Sequence, residues 1–190
     1  MLQVEARVRV LPGAALIFML FAPTVNGQTH ESRGAAGGLF GVGQTWDDEG
    51  SIGTGAVIGG RVEWRVFGTT AVEFSIDVLS HDREGQFFEA NGHTAFTGVS
   101  LLHRFGSSAA QPYVLGGLHL ATHSGSTRFE DLRVERTSTD FGYHFGGGIG
   151  FGVGSRLEIG PEVRFYMIQP ENGSDPATAY WIGGRLGIRF

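Results

Sequence analysis

The 190-residue chain has no cysteine and no lysine. Without cysteine there is no disulfide framework, no thiol nucleophile and no thiolate-ligated metal site, and the redox compartment stays undetermined. All 14 basic residues are arginine, an outcome that a GC-rich genome gives as readily as a need for forked, permanently charged donors. Long apolar runs are scarce too. Beyond residue 30 none approaches the ~20 continuous apolar residues of a membrane-spanning helix, so a chain like this enters a membrane only as strands. A basic face is also missing: the formal charge is -5 and the pI is near 5.8, which argues against a nucleic-acid partner.

Glycine and phenylalanine are plentiful, at 32 and 15 residues. The glycines follow no three-residue period and lie beside aromatic and branched residues, so collagen and disordered low-complexity sequence are both poor readings. At the N-terminus, Arg7 and Arg9 precede an apolar run over residues 11–22, and small residues follow around Val25, Asn26 and Gly27. This is the pattern of a secretory signal peptide. The expected organisation is a signal peptide over residues 1–27 and one domain over residues 28–190; the alternative is a buried N-terminal helix, bracketed by Pro12, Gly13 and Pro23.

From about Gly34 the text alternates every second residue, the period of a strand with two unlike faces. Leu157, Ile159, Pro161, Val163, Phe165 and Met167 share one face, opposite Arg156, Glu158, Gly160, Glu162, Arg164 and Tyr166. The last segment sets Tyr180, Ile182, Gly184, Leu186, Ile188 and Phe190 against Trp181, Gly183, Arg185, Gly187 and Arg189. In residues 141–153 the second face is His144 among glycines. Two earlier segments place Ile58, Val62 and Trp64 opposite Arg61, Glu63 and Arg65, and Phe74 and Ile76 opposite Glu73, Ser75 and Asp77. The count is eight strands. Short connections at residues 67–70, 106–110 and 153–155 alternate with long or polar ones at 47–51, 81–92, 123–140 and 169–177. The expected fold is therefore all-β, an eight-stranded antiparallel up-and-down transmembrane β-barrel with tight turns at one end and long loops at the other.

A soluble sandwich alternates as well; the make-up of the polar face separates the two. An eight-stranded barrel has an interior just wide enough for side chains, and buried charge is tolerated only when paired. Arg61, Glu63, Arg65, Arg156, Glu158, Glu162, Arg164, Arg185 and Arg189 are read as a lumen charge network, with neighbouring glycines leaving room for the long arginines. The competing reading is a solvated outer face. Trp46, Trp64, Tyr113, Tyr166 and Tyr180 are candidates for interfacial aromatic girdles.

The segments Gln111-Pro-Tyr-Val-Leu-Gly-Gly-Leu, Phe145-Gly-Gly-Gly-Ile-Gly-Phe and Trp181-Ile-Gly-Gly-Arg-Leu-Gly-Ile-Arg-Phe190 resemble the OmpA-like and opacity-like outer membrane protein β-barrel domain family. The resemblance implies a place in the bacterial outer membrane, contact with its lipid, and delivery by periplasmic chaperones to the barrel-assembly machinery. Tyr180, Leu186, Ile188 and Phe190 resemble the C-terminal signal which that machinery reads.

Catalytic patterns are thin. His123 with Ser124 or Ser126, followed by Glu130 or Glu135, is the nearest approach to a His, Ser and acid set, but it departs from the spacing of lipid A deacylases among such barrels. His81, Asp82, Glu84 and His93 form a loop cluster that acidic surface loops show without holding a metal. The glycine run at 146–154 is not followed by a helix, so a dinucleotide fingerprint fails its context. The expectation is a non-enzymatic protein with no cofactor and no large pore, structural or surface-interactive in role. The alternatives are a membrane-embedded lipid A-modifying hydrolase and a secreted soluble β-sandwich or apolar-ligand carrier.

Overall fold

The computed structural model describes residues 33–47, 50–85, 88–106, 109–129, 132–170 and 176–190. Eight strands follow in order: β1 (Gly34–Asp47), β2 (Gly50–Phe67), β3 (Thr70–Gly85), β4 (Phe88–Arg104), β5 (Ala110–Phe129), β6 (Leu132–Val153), β7 (Leu157–Gln169) and β8 (Ala177–Arg189). Each pairs antiparallel with its sequence neighbours, and β8 returns to β1 to close a barrel. The seam runs from Trp46 opposite Thr178 to Ala35 opposite Arg189. Reciprocal backbone bonds of 3.1 and 2.9 Å between Gly34 and Phe190 finish it. A closed sheet has no edge, which is the condition for carrying strands through hydrocarbon. The segment read as a signal peptide lies outside the described residues.

The turn end is built by glycine. Gly68, Gly106 and Gly154, one in each short connection, have φ of 52°, 76° and 63°, the left-handed region that a Cβ disfavours. The other end differs from expectation. Residues 81–92 and 123–140 are mostly paired strand rather than loop: the β3–β4 ladder continues to Gly85 opposite Phe88, and the β5–β6 ladder to Phe129 opposite Leu132. Backbone pairing persists there after the apolar alternation has faded, so the side-chain pattern alone gave no sign of it.

The two faces are inverted relative to a soluble protein. Phe40, Ile58 and Leu101 point outward with 64%, 69% and 61% of their surface exposed, and they belong to an apolar belt that includes Phe74, Val114 and Ile182. Arg61, Glu73, Glu162, Arg164 and Arg185 point inward and are buried. Leaving a large apolar side chain in water forfeits about 1.5 to 3 kcal/mol, and so large an apolar surface calls for lipid. That excludes the soluble sandwich, whose core and solvent faces would be exchanged.

Glycines on β6 make the interior wide enough. A Cβ at Gly146 would come within 2.9 Å of the Arg164 Cγ, one at Gly148 within 2.5 Å of the Tyr113 hydroxyl, and one at Gly150 within 2.8 Å of the Glu158 carboxyl carbon. The bare wall therefore accepts side chains that cross from β5 and β7.

Two tryptophans test this sidedness, because Trp64 faces outward and Trp181 is buried in the lumen. In vesicles of brominated lipid, a variant with Trp64 as its sole tryptophan should be strongly quenched, and one with only Trp181 should not. Equal quenching would contradict the assignment of faces.

Candidate functional site

The lumen is the candidate site, and its half nearer the turn end is one connected charge network. Glu162 on β7 occupies the middle. It accepts hydrogen bonds from Arg61 Nη1 at 2.6 Å, from its own-strand neighbour Arg164 Nε at 2.6 Å and from the Tyr113 hydroxyl at 2.5 Å. Arg164 in turn donates to Glu73 at 2.6 Å and to the Ser75 hydroxyl at 3.1 Å, with Asp77 3.6 Å away.

Nearer the turn end, Glu63 accepts from Arg104 at 2.6 Å and from Arg185. Glu158 accepts from Arg104 at 3.2 Å and from Arg189 at 2.9 and 2.5 Å, and Arg185 lies 3.1 Å from it. The Tyr113 ring lies 4.6 Å from the Arg185 guanidinium, a cation–π contact in a desolvated setting. Alternation on β2, β3, β7 and β8 sends every second side chain inward, so strands far apart in sequence meet across the lumen.

Above this layer the lumen is largely apolar, with the buried polar residues Thr94, His119 and His144 set among the apolar side chains. Leu39, Leu79, Phe96, Tyr166, Ile168 and Trp181 belong to one buried cluster, with the Phe96 and Tyr166 rings stacked at 4.1 Å. Tyr166 joins the two layers, donating to Asp77 and accepting from Trp181 Nε1 at 3.3 Å. His119 and His144 are wedged beside Tyr166 with their ring centres 5.6 Å apart, and His144 Nε2 is 2.7 Å from the Ser100 hydroxyl.

At the loop-end mouth, His123 Nδ1 lies 2.9 Å from the Thr94 hydroxyl and its Nε2 3.6 Å from Asp140. The resulting hydroxyl, imidazole and carboxylate line is reminiscent of a nucleophile relay, but Thr94 is buried and its oxygen offers a substrate no approach. Ser124 and Ser126 alternate to the face opposite His123.

Of the nine residues assigned to the network, the structure brings together Arg61, Glu63, Glu158, Glu162, Arg164, Arg185 and Arg189. Arg65 and Arg156 require correction. Both are exposed: Arg65 lies near the turn-end tip of β2, and Arg156 is in the turn before β7, so alternation alone placed them inside. Tyr113 and Tyr166 are corrected as girdle candidates, since both are buried in the lumen. Trp46 and Tyr180 stack at 4.7 Å.

The residues missed were Arg104, Tyr113 and the acids Glu73 and Asp77. The two acids already lay on the polar face of β3 and could have been found from it. Tyr180, Leu186, Ile188 and Phe190 share the outer side of β8 and its end, with Leu186, Ile188 and Phe190 well exposed. Of the loop cluster weighed as a metal site and not favoured, His93 is exposed, while the side chains of His81, Asp82 and Glu84, like those of Glu130 and Glu135, lie outside those described. Among described residues no cluster of three metal-ligating groups occurs.

A family model described as "Outer membrane protein beta-barrel domain" matches residues 13–190. The chain is similar in fold to Neisserial surface protein A, at 14% identity and a TM-score of 0.68, covering 84% of this chain and 98% of that one. It is also similar to Ail, the attachment invasion locus protein of Yersinia pestis, at 13% identity and a TM-score of 0.57, covering 83% and 99%. A third similar structure is the N-terminal β-barrel domain of Pseudomonas aeruginosa OprF, at 14% identity and a TM-score of 0.52, covering 84% and 98%. Among curated proteins no sequence relative is found.

The network gives a graded expectation for stability. Glu162→Gln leaves Arg61 and Arg164 short of a buried partner and should destabilise the barrel by about 3 to 5 kcal/mol. Arg156→Gln, at the exposed rim, should change stability by less than about 0.5 kcal/mol. Urea unfolding in vesicles followed by tryptophan fluorescence measures both, and equal effects would refute the network.

Proposed function

The chain belongs to the outer membrane protein beta-barrel domain family, and with the bacterial outer membrane as its place we propose that it is a non-catalytic barrel, structural or surface-interactive in role, with no large pore. The observation that carries this reading is the filled lumen. Arg164 and Trp181, at 0% and 2% exposure, lie in successive layers, one charged and one apolar, across the interior of an eight-stranded barrel that is narrow to begin with. A largely apolar layer is a poor path for hydrated ions, since it takes away their water and offers few polar groups in its place.

With the inside occupied, the surfaces left for work are the outer wall and the two ends. Short turns face the periplasm in such barrels, which puts the extended β3–β4 and β5–β6 ladders outside the cell as the projecting surface. Fold relatives whose names refer to a surface protein and an attachment locus fit a role of this kind. The apolar belt supports contact with outer-membrane lipid. Delivery by periplasmic chaperones and insertion by the barrel-assembly machinery, with Tyr180, Leu186, Ile188 and Phe190 as the segment read, complete the proposal. Against the hydrolase alternative stand the buried hydroxyl of Thr94 and the opposed faces of His123 and its neighbouring serines.

Reconstitution tests the reading. Planar bilayers holding the purified protein should show no stepwise conductance, and lipid A incubated with it should keep its acyl chains. Steady large conductance steps, or release of fatty acid that survives further purification, would overturn it.

A further inference from the structure

We infer that the turn end of the barrel carries a docking site for anionic glycerophospholipid of the periplasmic leaflet, formed by arginines at the turn-end tips of the four adjoining strands β7, β8, β1 and β2, with Arg33 and Arg156 just before β1 and β7. Arg33 and Arg65 are neighbours across the β1–β2 pair, the Arg65 amide donating to the Arg33 carbonyl at 2.9 Å. Arg156 and Arg189 are neighbours in the same way across β7 and β8, at 2.7 Å. The seam pairing of Ala35 with Arg189 joins the two couples into one continuous arc.

Arg33, Arg65 and Arg156 are exposed and none takes part in the lumen network. Arg189 is shared, since Glu158 already holds it. Among the described residues the acids of this end, Glu63 and Glu158, are buried and committed to lumen arginines. Even with a carboxylate at Phe190 counted, the described residues of the exposed arc keep a net positive charge.

The second feature is what flanks the arc. Trp64 and Phe190 stand on its outer side, 52% and 56% exposed, with ring centres 6.5 Å apart. The amphipathic ring of Trp64 favours the headgroup level of a bilayer, and the Phe190 ring beside it adds apolar surface there. Guanidinium forks at the rim with rings just below them match a phosphodiester above an acyl chain, and the fork accepts phosphate oxygens in pairs. A soluble anion would use the arginines and have no need of the rings, so the occupant that fits both is a lipid. The inference rests on the outer-membrane placement and orientation proposed above.

Native mass spectrometry of the full-length barrel tests it, using micelles with equal amounts of phosphatidylglycerol and phosphatidylethanolamine. The wild type should retain phosphatidylglycerol preferentially. The triple variant Arg33→Gln, Arg65→Gln, Arg156→Gln should lose the preference, and Arg156→Gln alone should lose about fivefold, the equivalent of about 1 kcal/mol for one arginine near an anionic surface. Unboiled samples run beside boiled ones confirm that each variant is a closed barrel, so absence of the barrel form counts against the membrane reading and an intact barrel without preference counts against the lipid site alone. Equal retention of both lipids by the wild type, or an unchanged preference in the triple variant, overturns the inference. So does full displacement of the lipid by inorganic phosphate, which would make the arc a general anion site.

Discussion

A charge inside a narrow closed barrel has little access to water, and the rest of this structure follows from how that constraint is met. Glu63, Glu73, Asp77, Glu158 and Glu162 face Arg61, Arg104, Arg164, Arg185 and Arg189 in the lumen, five formal negatives against five positives. Moving even one such ion out of water carries a penalty of several kcal/mol, which its partners repay only when geometry and hydrogen bonds are good. The partners come from β2, β3, β4, β7 and β8, so the matching is complete only when the barrel has closed. Closure and charge compensation are one event, and this couples the ends of the chain to its beginning.

The same constraint explains where function can reside. Side chains fill the interior, the glycine wall of β6 is spent on giving them room, and an apolar layer continues above the charged one. What remains is the outer wall, which the apolar belt commits to lipid, and two unlike ends. At one end paired strands rise past the belt; at the other the exposed Arg33, Arg65 and Arg156 remain outside the balanced network. In this chain, lacking lysine, every such rim cation is a guanidinium, which is the form best matched to phosphate.

Much of this was legible in the sequence because a period of two is a strong signal when one face is wholly apolar. On β7 and β8 the inward set was read correctly residue by residue, and the glycines of β6 were recognised as space for arginine. The failures have a common physical source: alternation specifies a face but not a height. Arg65 and Arg156 have the right parity or neighbourhood for the lumen yet lie at its turn-end rim, exposed to solvent. Tyr113 and Tyr166 were counted as girdle residues by type, although parity with His119 and with Arg164 turns them inward. The length of the β3–β4 and β5–β6 ladders was hidden for the opposite reason, since backbone hydrogen bonding there continues among polar residues without a hydrophobic pattern to mark it.

The central claim is that arginine and glutamate side chains meeting across the lumen form a closed, water-poor core. Glu73 on β3 and Arg164 on β7, both fully buried and 2.6 Å apart, are the pair that tests it most directly. In a double-mutant cycle of Glu73→Gln and Arg164→Gln, unfolded by urea in vesicles, the account predicts a coupling of about 1 to 3 kcal/mol. Additivity to within about 0.5 kcal/mol would mean that the two side chains are separately solvated, and would contradict it.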